Sequence, residues 1–91
     1  MSVAVLFDVP GMSEAQYDQV MRDLDELGAS APTGRLAHVA AGVPGGWWVA
    51  DVWGTIEQLQ AFVPVLMPAL VRAGVNPPTP TVLPLHRIEL P

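Results

Sequence analysis

The sequence predicts an α+β fold of the ferredoxin-like type, a four-stranded antiparallel sheet with two helices on one face. Three observations predict it. The elements read in the order strand, helix, strand, strand, helix, strand, which is the split βαβ arrangement. Both helical stretches carry an apolar stripe on one side only. The strands, in contrast, are apolar on both faces, whereas a sheet with one wet face would alternate apolar with polar.

Val3 to Val9 (VAVLFDV) is a short, β-branched apolar run closed by Pro10-Gly11, which reads as a buried strand and a turn. Ser13 with Gln16 makes a capping box, and Tyr17, Val20, Met21, Leu24 and Leu27 then recur at helical spacing until Gly28. Glu14, Asp18, Arg22, Asp25 and Glu26 fall on the opposite, wet side. Ala29 to Gly34 reads as a loop. Arg35 to Gly42 and Trp47 to Trp53 form a hairpin turned at Val43-Pro44-Gly45-Gly46. Thr55 and Gln58 propose a second capping box. Leu59, Phe62, Val63, Leu66, Leu70 and Val71 carry the second helical stripe to Gly74, with a kink or two shorter segments expected near Pro64 and Pro68. After a proline-rich loop, Val82 to Leu90 reads as the last strand, with Pro84 at an edge or bulge.

On the hairpin, one parity gives Ala37, Val39, Ala41, Trp48, Ala50 and Val52, and the other gives Leu36, His38, Ala40, Trp47, Val49, Asp51 and Trp53. Two helices shield one face. The other is expected to meet a second copy of the chain, which makes a homodimer through the sheet face the expected assembly.

Composition narrows the function. The 91 residues suit one domain, residues 1–91. With no cysteine, disulfides, thiolate-held metals and a thiol nucleophile are excluded. A formal charge of −5 is the wrong sign for nucleic acid. No apolar run reaches the ~20 residues of a membrane span, and the N-terminal stretch lacks the basic start of a secretory signal, so a cytoplasmic protein is expected. Two histidines and scattered carboxylates lack the local spacing of a metal site, and neither the glycines nor the serines fit a phosphate loop or a serine-hydrolase site.

If Pro44-Gly45 is the tip, residues whose numbers sum to about 89 face each other. This sets His38 opposite Asp51 and Leu36 opposite Trp53. An aspartate holding one imidazole nitrogen fixes the tautomer and leaves the other nitrogen as a base. His38 and Asp51 are thus the candidate catalytic pair. Trp53 and Trp47, on the same face, are candidate walls for a planar ligand, with Tyr17 reaching in from the first helix. His86, beside Arg87 in the final strand, is a further candidate binding residue.

The stretch Leu36-Ala37-His38-Val39-Ala40, Gly46-Trp47-Trp48-Val49-Ala50-Asp51-Val52-Trp53, then a capped helix with Phe62 and Pro68-Ala69-Leu70, resembles the antibiotic-biosynthesis-monooxygenase-like, dimeric α/β-barrel superfamily, in particular its small actinobacterial members. In element order the resemblance spans nearly the whole chain. It implies a dimeric α/β barrel with the ligand between sheet and helices. Relatives include cofactor-free oxygenases acting on aromatic polyketides, haem-degrading enzymes and polyketide cyclases. The haem-degrading relatives take an axial histidine from a helix, and neither predicted helix has one, so haem is not expected. The resemblance therefore implies a cofactor-independent monooxygenase-like enzyme of secondary metabolism acting on a hydrophobic aromatic or polyketide-like small molecule. A cyclase or isomerase on the same fold, or a non-catalytic dimeric ligand-binding or partner-stabilising module, stays open beside it.

Overall fold

A computed structural model describes residues 1–91. Six elements follow in the expected order: β1 (Val3–Pro10), α1 (Glu14–Glu26), β2 (Arg35–Val43), β3 (Gly46–Trp53), α2 (Ile56–Arg72) and β4 (Thr81–Pro84). The strands form one antiparallel sheet in the order β2-β3-β1-β4, and no helix is long and apolar enough to cross a membrane.

The core lies between the sheet and the helices. Alternate residues of β1 (Val3, Val5, Phe7 and Val9) point inward and are buried. They join Val20 and Leu24 of α1 and Leu59, Phe62, Ala69 and Leu70 of α2 in one cluster. The opposite face leaves Leu6, Val39, Trp48 and Leu83 exposed. Both serine and threonine cap their helices, but only one of the two expected capping boxes closes: Ser13 forms the reciprocal box with Gln16. Thr55 accepts from the Gln58 backbone only, because the Gln58 side chain is drawn aside across Gly34, whose φ of +92° and lack of a Cβ leave room for it.

Three expectations need correction. First, of the kink or two shorter segments expected near Pro64 and Pro68, the two segments do not form: α2 is one continuous helix from Ile56 to Arg72. Pro64 and Pro68 are four residues apart, so they share one exposed face, where the donors they lack are missing from the solvent side of the helix. Second, the last strand ends at Pro84. Its ladder with β1 pairs Val3 with Pro84, and a final bond runs from Leu85 N to the Ser2 carbonyl, so β1 offers nothing for later residues to pair with. His86 and Arg87 are consequently exposed and outside the sheet, Arg87 meeting only Glu89.

Third, Leu36 does not face Trp53. The hairpin keeps the expected register from Val43 opposite Gly46 down to Ala37 opposite Val52, then shifts, so that Arg35 faces Trp53 and Leu36 is the extra residue of a β-bulge. The consequence is one of direction. Strict alternation would put Arg35 with Ala37 on the outer face; the bulge turns it onto the same side as His38, while Leu36 is left 55% exposed.

Candidate functional site

Three side chains from three elements meet on the inner face. His38 on β2 and Asp51 on β3 are directly opposite, and His38 Nδ1 lies 2.6 Å from Asp51 Oδ1. Tyr17, in the second turn of α1, places its hydroxyl 2.6 Å from His38 Nε2. An ionised carboxylate only accepts, so Nδ1 carries the proton and donates it to Asp51; in the neutral ring Nε2 then accepts from the Tyr17 hydroxyl. The result is a continuous chain, Tyr17 to His38 to Asp51.

Each member is held. Asp51 is only 6% exposed, and its second oxygen accepts from Trp53 Nε1 at 3.4 Å. Tyr17 is clamped by Trp47, whose ring stacks on it with centroids 5.1 Å apart, and it lies nearly parallel to the imidazole. Burial pushes the Tyr17 phenol above the ordinary tyrosine range; Arg35 pulls it back, while Asp51 and Asp18 push it further up. Tyr17 is therefore a protonated donor at neutral pH rather than a standing tyrosinate. The His38 side chain keeps 23% of its surface, so the chain of bonds reaches solvent.

A cavity of about 50 Å³ adjoins this chain, between the sheet and the helices. Tyr17, His38, Asp51 and Arg35 are its polar lining, and the rest is apolar apart from the edge supplied by Pro78 of the loop before β4. No three metal-ligating side chains come together anywhere in the molecule.

The residues expected to act are thus only partly assembled. Tyr17, His38 and Asp51 come together. Trp53 is fully buried behind Asp51, packed on Phe62 with ring centroids 5.5 Å apart, and does not line the cavity. Trp47 lies behind Tyr17 and does not line it either. His86 is far along the exposed tail. The nitrogen expected to be free on His38 is instead capped by Tyr17, which makes the phenol oxygen the group presented to a ligand. Arg35 is the lining residue that sequence reasoning missed, since only the bulge turns it inward and no local sequence signal marks that bulge.

Comparison with solved structures places this arrangement in context. Rv0793 from Mycobacterium tuberculosis superposes with a TM-score of 0.71 at 16% identity, covering 98% of this chain and 100% of that one. The chain has the antibiotic-biosynthesis-monooxygenase fold. A Chloroflexus aurantiacus protein provisionally named an antibiotic biosynthesis monooxygenase shares this fold with a TM-score of 0.62 and 22% identity, covering 98% of both chains. SnoaB, a cofactor-independent oxygenase from Streptomyces nogalater, shares it too, with a TM-score of 0.66, 11% identity, and coverage of 96% of this chain and 94% of that one. At such identities the fold is what is shared. No protein-family profile and no curated protein matches the sequence.

Proposed function

We propose that residues 1–91 form one half of a dimeric α/β barrel that works as a cofactor-independent, monooxygenase-like enzyme on an aromatic or polyketide-like small molecule. The observation that carries this is the Tyr17–His38–Asp51 chain on the wall of an apolar cavity. A fold shared with an oxygenase from Streptomyces nogalater adds support of a general kind.

In this reading the substrate surrenders a proton from an activated carbon or phenol to the Tyr17 oxygen, as Tyr17 passes its own proton to His38 Nε2. The imidazolium so formed is stabilised by Asp51, and the raised phenol pKa keeps Tyr17 from ionising until a proton arrives to replace the one it gives. The substrate anion transfers one electron to dioxygen, the radical and superoxide combine into a C–O bond, and the peroxide takes the proton back. Loss of water then leaves a carbonyl, so that CH₂ and O₂ become C=O and H₂O. The exposed apolar face, with Leu6, Val39, Trp48 and Leu83, is the surface through which two copies associate. A cytoplasmic, secondary-metabolic setting accords with this chemistry.

A specific observation favours a second reading. Ordinary small-molecule pockets hold roughly 300 Å³ or more, and this cavity holds about 50 Å³. A ring system enters only if part of the wall yields, and a cavity that stays closed would mark a non-catalytic dimeric module. The deciding experiment is dioxygen uptake with anthrone, a three-ring compound with one activated methylene. The enzyme reading expects anthraquinone formation, lowered by roughly 10²–10⁴-fold in His38→Ala, the range typical of a lost general base. Equal rates in the variant would overturn the mechanism, and no turnover of anthrone or related activated-methylene aromatics would favour the module.

A further inference from the structure

Arg35 stands apart among the four arginines of the chain. Arg72 pairs with Asp23 at 3.4 Å, Arg87 pairs with Glu89, and Arg22 is exposed and bonds Gln19. Arg35 makes no ion pair, although it is half-buried and lines the cavity with Tyr17, His38 and Asp51. One of its five N–H donors is spent on the Ser30 carbonyl, at 2.9 Å. The remaining donors form a planar cationic fork with no anion to meet it. Removing a guanidinium from water without a counter-charge is costly, and the bulge at Leu36 is the device that turns it inward despite that cost.

We propose that Arg35 is the anion-binding group of this site and that the ligand is a small aromatic molecule presenting an anionic oxygen, a carboxylate or a readily ionised phenol or enol, to its guanidinium. This rests on the aromatic-ligand reading above and adds to it the charge of the ligand. Forked N–H donors match a carboxylate or enolate oxygen well. The field of Arg35 already reaches the Tyr17 oxygen, where it favours negative charge, and a substrate oxygen beside Tyr17 would lie in the same field. Arg35 would then hold an ionised substrate in place, and would stabilise the anion left when Tyr17 accepts a proton. The protein is net negative, the cavity wall itself carries the Asp51 carboxylate, and exposed Asp18 on α1 adds a weaker negative influence at Tyr17, so selection for an anion has to come from Arg35 against them.

The test compares benzoate with benzamide, nearly equal in shape and different in charge, titrated calorimetrically into the chain of residues 1–91 at fixed pH and low salt. Wild type should bind benzoate about tenfold or more tightly than benzamide, as a charge-assisted hydrogen bond is worth. Arg35→Met should abolish that preference while leaving benzamide affinity within about twofold. Arg35→Gln, which keeps a neutral hydrogen-bond donor at this position while removing the charge, should do the same, so the test survives if the methionine variant folds poorly. Equal binding of the two ligands by wild type, or a benzoate preference that persists in both variants, overturns the role of Arg35 and leaves the aromatic pocket standing. Wild type binding neither ligand removes the pocket reading along with it.

Discussion

The two faces of the sheet are built from similar apolar residues but carry their polar groups differently. On the inner face, Arg35, His38 and Asp51 are gathered at one end, against Tyr17, and each except Arg35 is satisfied by the next. Val3, Val5, Phe7, Val9 and Trp53 on that face are buried. On the outer face Asp8 bonds exposed Trp48, and the other large side chains, Leu6, Val39 and Leu83, are exposed to solvent. Apolar content alone therefore does not separate a core from a contact surface. What separates them is where the polar atoms go: on the inner face Tyr17, His38 and Asp51 bond one another, because an unpaired buried polar group costs free energy, and Trp47 Nε1 is the one buried side-chain donor left without a partner.

Substitutions on each face should break this comparison in opposite ways. The largest stability effect belongs to Trp53→Ala, which removes a fully buried ring and the donor to Asp51. A loss of about 3–5 kcal/mol is expected in denaturant unfolding. Trp48→Asp, on the outer face, should leave the fold near its original stability while raising the dissociation constant of the proposed dimer about tenfold or more in sedimentation experiments. If Trp48→Asp unfolded the chain instead, the outer face would be core.

The single tyrosine sharpens the inner face, because its ionisation can be followed by ultraviolet absorbance without interference from another phenol. Tyr17 should titrate above the free tyrosine value, and Arg35→Met should move it further up, since Arg35 now lowers it. The linkage follows in sign: with the folded-state value above the unfolded one, the unfolded chain binds fewer protons above about pH 10. The contribution of Tyr17 to stability is fully present below that pH and is lost as pH rises through the folded-state value. The smallest effect is local. Ser13→Ala, which removes one half of the capping box of α1, should cost about 1 kcal/mol without altering the cavity.

How far these features were legible in sequence depends on whether local rules decide them. The order of elements, both helix N-caps and the pairing of His38 with Asp51 follow from short-range signals, the last because a two-residue turn at Pro44-Gly45 fixes the register near it. Further from the turn the rule failed: the register shifts between Arg35 and Ala37, and no residue type there marks a bulge. The same distinction explains β4, whose strand-like sequence beyond Pro84 has no partner strand in the chain. It explains the tryptophans as well: parity gives the face of Trp47 and Trp53 correctly, but only the packing of α1 and α2 shows that both stand behind the polar side chains and not on the cavity wall.

The central claim is that the proton leaves a substrate through Tyr17 and that the Tyr17–His38–Asp51 chain is more than a satisfied core pair. Tyr17→Phe tests it most directly, because it keeps the ring stacked on Trp47 and deletes only the hydroxyl. Anthrone-dependent dioxygen uptake should fall about 10²-fold or more in this variant, with folding retained. Uptake equal to that of wild type would contradict it and leave Tyr17 as a packing residue.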